Sequence, residues 1–358
     1  MTVRVLVVGD GYMPASVFSA ALAGLGGPGG PGGALSVTEL QIGGAAAAPP
    51  HTASERGLRE YVGDPADLVA AVAGHDALLV HGAPVSAEVL DAAPLRLVCC
   101  ARGGPVNVDV AAASQRGIPV TNAPGRNAPA VAELTIAFAL MLIRGVASSA
   151  RYLTEGGQLA ASTYEGSQFI GGEAASVTLG LVGLGNVGRE VAARGRALGF
   201  TLLGYDPVPP ADIPPGVSLV SLDELLGRSG MISLHARATA DNRHLFGAAE
   251  FARMPRGALF INTARESLVD EEALAKALAR GHLAGAALDV VERRPAGDRH
   301  PLLDQPNVII TPHIGGATRE TLRRGAEMAA AAVARLISGE VPEHLVNPEV
   351  LARKEATP

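Results

Sequence analysis

The segment Val177-Thr-Leu-Gly-Leu-Val-Gly-Leu-Gly-Asn-Val-Gly-Arg-Glu-Val191 constrains this chain more than any other. Residues 177–182 give a short apolar strand signal, Gly183 to Gly188 spell G-x-G-x-x-G, and Asn186 to Leu198 reads as a helix. A second strand, Thr201 to Tyr205, ends at Asp206, 18 positions beyond the last glycine. In that context each glycine has a reason. Gly183 permits a tight turn, Gly185 lets backbone approach a pyrophosphate, and Gly188 lets helix pack closely on strand. The helix N-terminus then faces phosphate, and Asp206 can accept hydrogen bonds from ribose hydroxyls. An acid there repels a 2′-phosphate, so the expected cofactor is NAD rather than NADP.

The same pattern occurs at Gly24–Gly29 and Gly27–Gly32, where context rejects it. Neither copy follows a strand, and Pro28 and Pro31 interrupt the start of any helix, so this stretch reads as a low-complexity loop.

Strand-like and helix-like runs alternate almost throughout, which predicts parallel sheets covered by helices on both faces. Val3–Gly9, Leu35–Ile42, Asp76–His81, Leu95–Ala101 and Pro119–Asn122 read as strands of a first unit. Six more, at 178–182, 201–205, 231–235, 258–263, 285–290 and 308–311, read as a second. Ala130 to Ala150 reads as one long apolar helix, Glu320 to Ser338 as an amphipathic one, and 339–358 as a polar tail. The last helix has no sheet partner in the second unit, so it is expected to cross back to the first. The expected α/β architecture has two doubly wound parallel-sheet domains, 1–125 plus 316–358 and 126–315, with a cleft beside the carboxyl ends of the strands.

At 358 residues there is length for a core in each domain. A net charge of −6 with dispersed arginines gives no basic face for nucleic acid. No uncharged apolar stretch reaches membrane-spanning length, and Met1 leads straight into a strand rather than a signal peptide. The adjacent Cys99 and Cys100 lie in an apolar strand and suit a reducing compartment. The expectation is a cytoplasmic protein with neither nucleic-acid nor membrane partner, and no metal.

With a hydride carrier placed, the substrate side needs a cation for an anionic group and a proton donor near the reacting carbon. Arg265 follows the strand Ala258-Leu-Phe-Ile-Asn-Thr-Ala264, and His313 follows Val308-Ile-Ile-Thr-Pro312. A guanidinium offers a bidentate fork to a carboxylate, and imidazole exchanges protons near neutral pH. Alone, each reads as a surface arginine or a turn histidine; both at carboxyl ends of a cofactor sheet read as function.

These blocks, with Ala101-Arg-Gly-Gly-Pro-Val-Asn-Val-Asp109, Asn122-Ala-Pro-Gly-Arg-Asn-Ala128 and Gly285-Ala-Ala-Leu-Asp-Val290, resemble the D-isomer-specific 2-hydroxy acid dehydrogenases, the group that includes phosphoglycerate dehydrogenase. The resemblance covers nearly the whole chain. It implies a Rossmann NAD-binding domain, a flavodoxin-like substrate domain, and interconversion of a small anionic D-2-hydroxy acid and its 2-oxo acid. By the same resemblance Arg265 would hold the substrate carboxylate and His313 would be the general acid/base. Asn186 and Val187 would contact the pyrophosphate, His235 and Ala236 would line the adenosine side, and Thr263 and Asp289 would orient the nicotinamide amide, with Ala264 and Gly316 also at the cofactor. Gly103 and Gly104 would receive the carboxylate by backbone N–H, with Arg102 and His81 beside the substrate. The resemblance also implies a homodimer built on the helix 130–150, where Leu134, Phe138, Leu142 and Ile143 supply apolar surface.

The chain departs from the family at the glutamate that usually pairs with the catalytic histidine. By spacing to Pro295 that position is Arg294. A guanidinium about 4 Å from an imidazolium opposes it by up to about 4 kcal/mol at an effective dielectric of 20. Arg294 therefore should not point at His313, and either Glu292 reaches in or the histidine works without a carboxylate. The glycine loop after Arg102 is two residues short, and Arg237 replaces the usual proline after His235. Arg102, Arg126 and Arg294 read either as solvated surface arginines or as a cluster for a further acidic group, phosphate or phosphonate, on the substrate. Two rival readings are a catalytically silent NAD sensor or scaffold and an enzyme of a one-carbon or phosphorus acid. Retention of Arg265 and His313 opposes the first, and the hydroxy-acid form of the His313 block opposes the second.

Asp206→Ala is expected to narrow the preference for NAD over NADP, measured as the ratio of kcat/KM for the two cofactors. A wild-type preference for NADP of about tenfold or more would overturn the role given to this carboxylate.

Overall fold

The computed structural model describes residues 2–25, 35–43, 50, 52–157, 165–292 and 298–355. The chain divides into two compact units, Met1–Arg126 with Ala317–Pro358, and Asn127–Gly316. The decoy glycine patterns lie largely, and Arg294 wholly, outside the described residues.

The first unit is a five-stranded parallel sheet of β1 (Val3–Gly9), β2 (Leu35–Gln41), β3 (Ala77–Val80), β4 (Leu97–Cys100) and β5 (Val120–Thr121), in the order β2-β1-β3-β4-β5. Alternate side chains of β1 serve two cores. Leu6 and Val8 pack with Leu68, Leu78 and Val98 on one face, while Val5 and Val7 pack with Phe18, Leu22 and Leu79 on the other. Ala326, Ala329, Ala330 and Val333 of the helix Arg319–Ser338 join that second core. Both faces are thus covered, which is why β1, β3 and β4 read as near-continuous apolar runs, while the edge strand β2 is mostly exposed. Burial pushes the Cys99 thiol up to about 12 and the Cys100 thiol up to about 11, leaving two small packed side chains in place of reactive thiols.

The second unit is a seven-stranded parallel sheet. Its strands are β6 (Thr178–Val182), β7 (Thr201–Tyr205), β8 (Val217–Leu219), β9 (Met231–Leu234), β10 (Ala258–Asn262), β11 (Leu283–Leu288) and β12 (Val308–Ile310). Their order is β12-β11-β10-β9-β6-β7-β8. β8 is a seventh strand beyond the six expected. It is short, mostly exposed and at the sheet's edge, so it carries no apolar run.

The expected helix over 130–150 is two helices, Ala128–Ile143 and Val146–Thr154, bent by 65°. Gly145 sits between them in the left-handed region at φ 58°, which glycine adopts without steric cost. The side chains read as surface are also placed differently. Phe138 and Ile143 are buried in the unit's own core, and Leu134 and Leu142 pack against it. The tail is not uniformly irregular either. Leu345 bridges to Thr121 of β5, and Glu349–Glu355 is helical. Among the described residues no single helix is long and apolar enough to cross a membrane.

Candidate active site

In the second unit the functional candidates all follow carboxyl ends of parallel strands, the edge where open α/β sheets bind ligands. The turn after β6 is tightly built. Gly183 lies at φ 98°, and a Cβ there would come within 2.7 Å of the His235–Ala236 backbone. A Cβ on Gly188 would come within 2.1 Å of the Gly183 carbonyl oxygen, so only glycine lets the helix Asn186–Ala197 start this close to the strand. Gly185 is the opposite case. A Cβ there meets nothing within 4 Å, leaving open space at the helix N-terminus. No side chain caps that helix, so the Asn186, Val187 and Gly188 N–H groups are available to an anion. Asp206 follows β7; its Oδ2 accepts from Leu184 N at 2.9 Å and its Oδ1 from Val208 N at 3.0 Å. Each oxygen keeps a lone pair for a ribose hydroxyl. An open cradle, free helix N–H groups and a fixed carboxylate fit NAD. His235, after β9, has both ring nitrogens buried and without a partner among the described residues, and burial pushes it down to about 3, so the ring is neutral.

Arg265 is exposed, and its main chain is held from below. Asn262, wholly buried at the end of β10, donates from Nδ2 to the Arg265 carbonyl at 2.9 Å and accepts from Ala264 N at 3.0 Å. The Arg265 Nη1 donates to the Ala264 carbonyl at 2.7 Å. Thr263, also after β10, is held by Thr135. Thr135 Oγ1 gives its hydrogen to Val131 O, so in the 2.9 Å Thr263–Thr135 contact the Thr263 hydroxyl is the donor.

Asp289 carries a role that sequence reasoning did not find. It is 2% exposed. Its Oδ1 accepts from Thr311 Oγ1 at 2.6 Å and Ile314 N at 2.8 Å, and its Oδ2 from Gly315 N at 2.7 Å. Its carbonyl also accepts from His313 N at 2.9 Å. This carboxylate therefore clamps the turn after β12, where His313 takes a left-handed φ of 57°. The imidazole itself is exposed and has no hydrogen-bond partner among the described residues.

Glu292 does not supply that partner here. Its Oε1 lies 3.3 Å from Arg243 Nη2 and 4.0 Å from His244 Nε2, and no hydrogen bond joins it to His313. Its backbone N–H donates to buried Glu271 at 2.9 Å, and the other Glu271 oxygen lies 2.5 Å from His300 Nε2.

In the first unit, Arg102, Gly103 and Gly104 follow β4 and His81 follows β3. The loop is pinned by Ala123 N to the Arg102 carbonyl at 2.8 Å and Asn122 Nδ2 to the Gly103 carbonyl at 2.8 Å. The Gly103 and Gly104 N–H groups have no partner among the described residues. Arg102 is committed to Glu60, through its carbonyl at 2.7 Å and its carboxylate. Arg126 is not solvated: it is 8% exposed and shares a hydrogen bond with His81. The reading of these two as free surface arginines is corrected by these contacts.

Asp289→Asn replaces one acceptor with an NH2 that must face a backbone or hydroxyl donor. We expect a loss of about 2 kcal/mol of stability in the protein without cofactor, measured by chemical denaturation. Unchanged stability without cofactor would show that the carboxylate acts only on bound ligand.

The model of the D-isomer specific 2-hydroxyacid dehydrogenase NAD-binding domain matches residues 136–315. The glyoxylate reductase of Korarchaeum cryptofilum is 40% identical over 271 residues, 75% of this chain and 81% of that protein. The D-3-phosphoglycerate dehydrogenase of Methanocaldococcus jannaschii is 36% identical over 286 residues, 78% of this chain. The chain spans about half, 53%, of that relative's length. Among solved structures, the TT0316 protein of Thermus thermophilus matches with a TM-score of 0.76 at 35% identity, over 96% of this chain and 99% of that one. With the matched domain, these relatives and the NAD-shaped cradle together, the chain belongs to the D-isomer specific 2-hydroxyacid dehydrogenase family, the NAD-dependent oxidoreductases of 2-hydroxy acids.

Proposed function

We propose that this chain interconverts a D-2-hydroxy acid and its 2-oxo acid with Arg265 and His313 as its catalytic residues. The observation that carries the assignment is their placement. Arg265 follows β10, Asp289 follows β11 and His313 follows β12, three neighbouring strands whose carboxyl ends share an edge with the Gly183–Gly188 turn. When bound, NAD supplies or accepts the hydride. The Arg265 guanidinium grips the substrate carboxylate and polarises the reacting oxygen. In reduction His313 gives its proton to that oxygen; in oxidation it takes the hydroxyl proton. Asn262 and Asp289 fix the backbone beneath these side chains. In the first unit we assign the substrate to the Gly103 and Gly104 N–H groups, with Arg102 and His81 beside it. Because Glu292 is held by Arg243 and His244, we assign His313 no carboxylate partner among the described residues.

Arg265→Ala should remove nearly all activity, a loss of several kcal/mol in transition-state binding. His313→Ala should lower kcat by about 10² to 10⁴. Glu292→Gln should leave the pH profile of reduction in place. NADH oxidation on a panel of 2-oxo acids measures all three, and full activity in His313→Ala would remove the histidine from proton transfer. Bound NADH without turnover on the whole panel would favour a silent sensor.

We also propose a homodimer. The exposed apolar side chains Leu140, Val146, Leu153 and Ile170 lie along the helices Ala128–Ile143 and Val146–Thr154 and the segment that follows. Light scattering at micromolar concentration should give twice the chain mass, and a monomer would end this reading.

A further inference from the structure

The sheet of the first unit has a topological switch point. From β1 the chain goes to β2 on one side and returns to β3 on the other, so the crevice lies at the carboxyl ends of β1 and β3. Asp10 follows β1, and His81 follows β3. Both are buried, and they meet there: His81 Nδ1 lies 2.9 Å from Asp10 Oδ2. Asp10 is fully engaged. Its Oδ1 accepts from Tyr12 N and Met13 N, each at 2.8 Å, and its Oδ2 also accepts from Gly82 N at 2.7 Å. Burial and the nearby Arg126 and Arg102 charges hold the His81 imidazole below its ordinary range despite Asp10, and the Arg126 guanidinium set against Nε2 can only donate, which requires the lone pair of the neutral ring there. It therefore donates from Nδ1 to the carboxylate and presents a lone pair at Nε2. Arg126 Nη2 donates to that lone pair at 3.1 Å.

Arg126 is the unsatisfied member. Its Nη1 reaches the Thr321 carbonyl only at 3.5 Å, and its Nε is buried without a partner. Among the described residues no carboxylate forms an ion pair with it, whereas Arg102 holds Glu60. A guanidinium more than nine-tenths buried, with a neutral imidazole between it and the nearest carboxylate, is costly to keep. An arginine serving only to staple the fold would be expected to hold a carboxylate directly. Tyr12, 38% exposed, stacks on His81 with ring centroids 4.9 Å apart and is the solvent-facing member of the cluster.

We propose that Arg126 is a specificity-determining residue that binds a second anionic group, carboxylate or phosphate, on the substrate, and that His81 and Asp10 are the positioning residues that aim it. The proposal rests on the reading of this chain as a 2-hydroxy acid dehydrogenase whose first unit binds substrate. The long Thr321 contact is the weakest bond of the guanidinium and the one a ligand oxygen replaces, while the His81 bond stays.

The test compares acids matched in length, 2-oxoglutarate with 2-oxovalerate and oxaloacetate with 2-oxobutyrate, by NADH oxidation. The dianions should be preferred at least tenfold in kcat/KM. Arg126→Leu should erase the preference through KM for the dianion while moving the monoanion little, and Arg126→Lys should keep part of it. His81→Gln, which retains a donor and an acceptor, should preserve the preference, and His81→Leu should lose it, bringing the dianion-to-monoanion ratio of kcat/KM down to that of Arg126→Leu. Equal kcat/KM for matched pairs, or equal losses on both in Arg126→Leu, would overturn the proposal and leave the dehydrogenase reading standing. If no 2-oxo acid turns over, that reading falls separately. Thermal protection by 2-oxoglutarate with NADH then decides, since it must exceed protection by 2-oxovalerate and vanish in Arg126→Leu.

Discussion

The Asp289 carboxylate is out of water, where an ionised group is tolerated only if hydrogen bonds replace its hydration. Thr311, Ile314 and Gly315 supply those bonds, and in doing so they bend the chain back over the end of β11. His313 rides on that bend in a left-handed conformation that a non-glycine residue adopts at some cost, here offset by the clamp. Gly315 belongs to the same arrangement, because a Cβ there would lie 2.8 Å from the Asp289 oxygen. The position of His313, the residue proposed for proton transfer, is therefore set from the neighbouring strand, through backbone.

Much of this was legible in sequence because parallel strands covered on both faces must be apolar runs, and their ends must be loops. β1 and β6 lie at the expected residues for that reason. The glycine turn was legible because its spacing follows a strand and opens a helix; Gly183 and Gly188 show the contacts that forbid a Cβ, while Gly185 faces open space. β8 was not legible: it is three residues long with β7 as its one strand neighbour, and only Val217 packs against the core while Ser218 and Leu219 are exposed. The break at Gly145 was hidden because apolar residues continue on both sides and a lone glycine is tolerated within helices.

The site divides along similar lines. Arg265 and His313 were proposed from residue type and position after a strand, and the structure places them after β10 and β12. Asn262, Thr135 and Asp10 were not: Asn262 acts through particular atoms of the local backbone of Ala264 and Arg265, Thr135 and Asp10 through residues distant in sequence, and periodicity carries no record of such bonds. Thr135 and Thr263 are 128 residues apart, and Asp10 and His81 are 71 apart. Arg126 misled for a related reason. Composition makes a solvated arginine the default, and only the fold shows that the end of β5 brings this one against His81.

The two units use opposite means of presenting charge. In the second, Asn262 and Asp289 bind the main chain around Arg265 and His313, so the functional side chains stay exposed and lightly engaged. Such groups meet substrate with their hydrogen bonds unspent, and water occupies them meanwhile at little cost. In the first, the side chains themselves are chained together, from Asp10 through His81 to Arg126, away from water. A donor left over in that setting has no solvent to fall back on, so it discriminates strongly against any ligand that lacks an acceptor for it. Exposed groups suit the carboxylate and reacting oxygen common to every 2-oxo acid. Buried, pre-aimed groups suit the part of the molecule by which one 2-oxo acid differs from another.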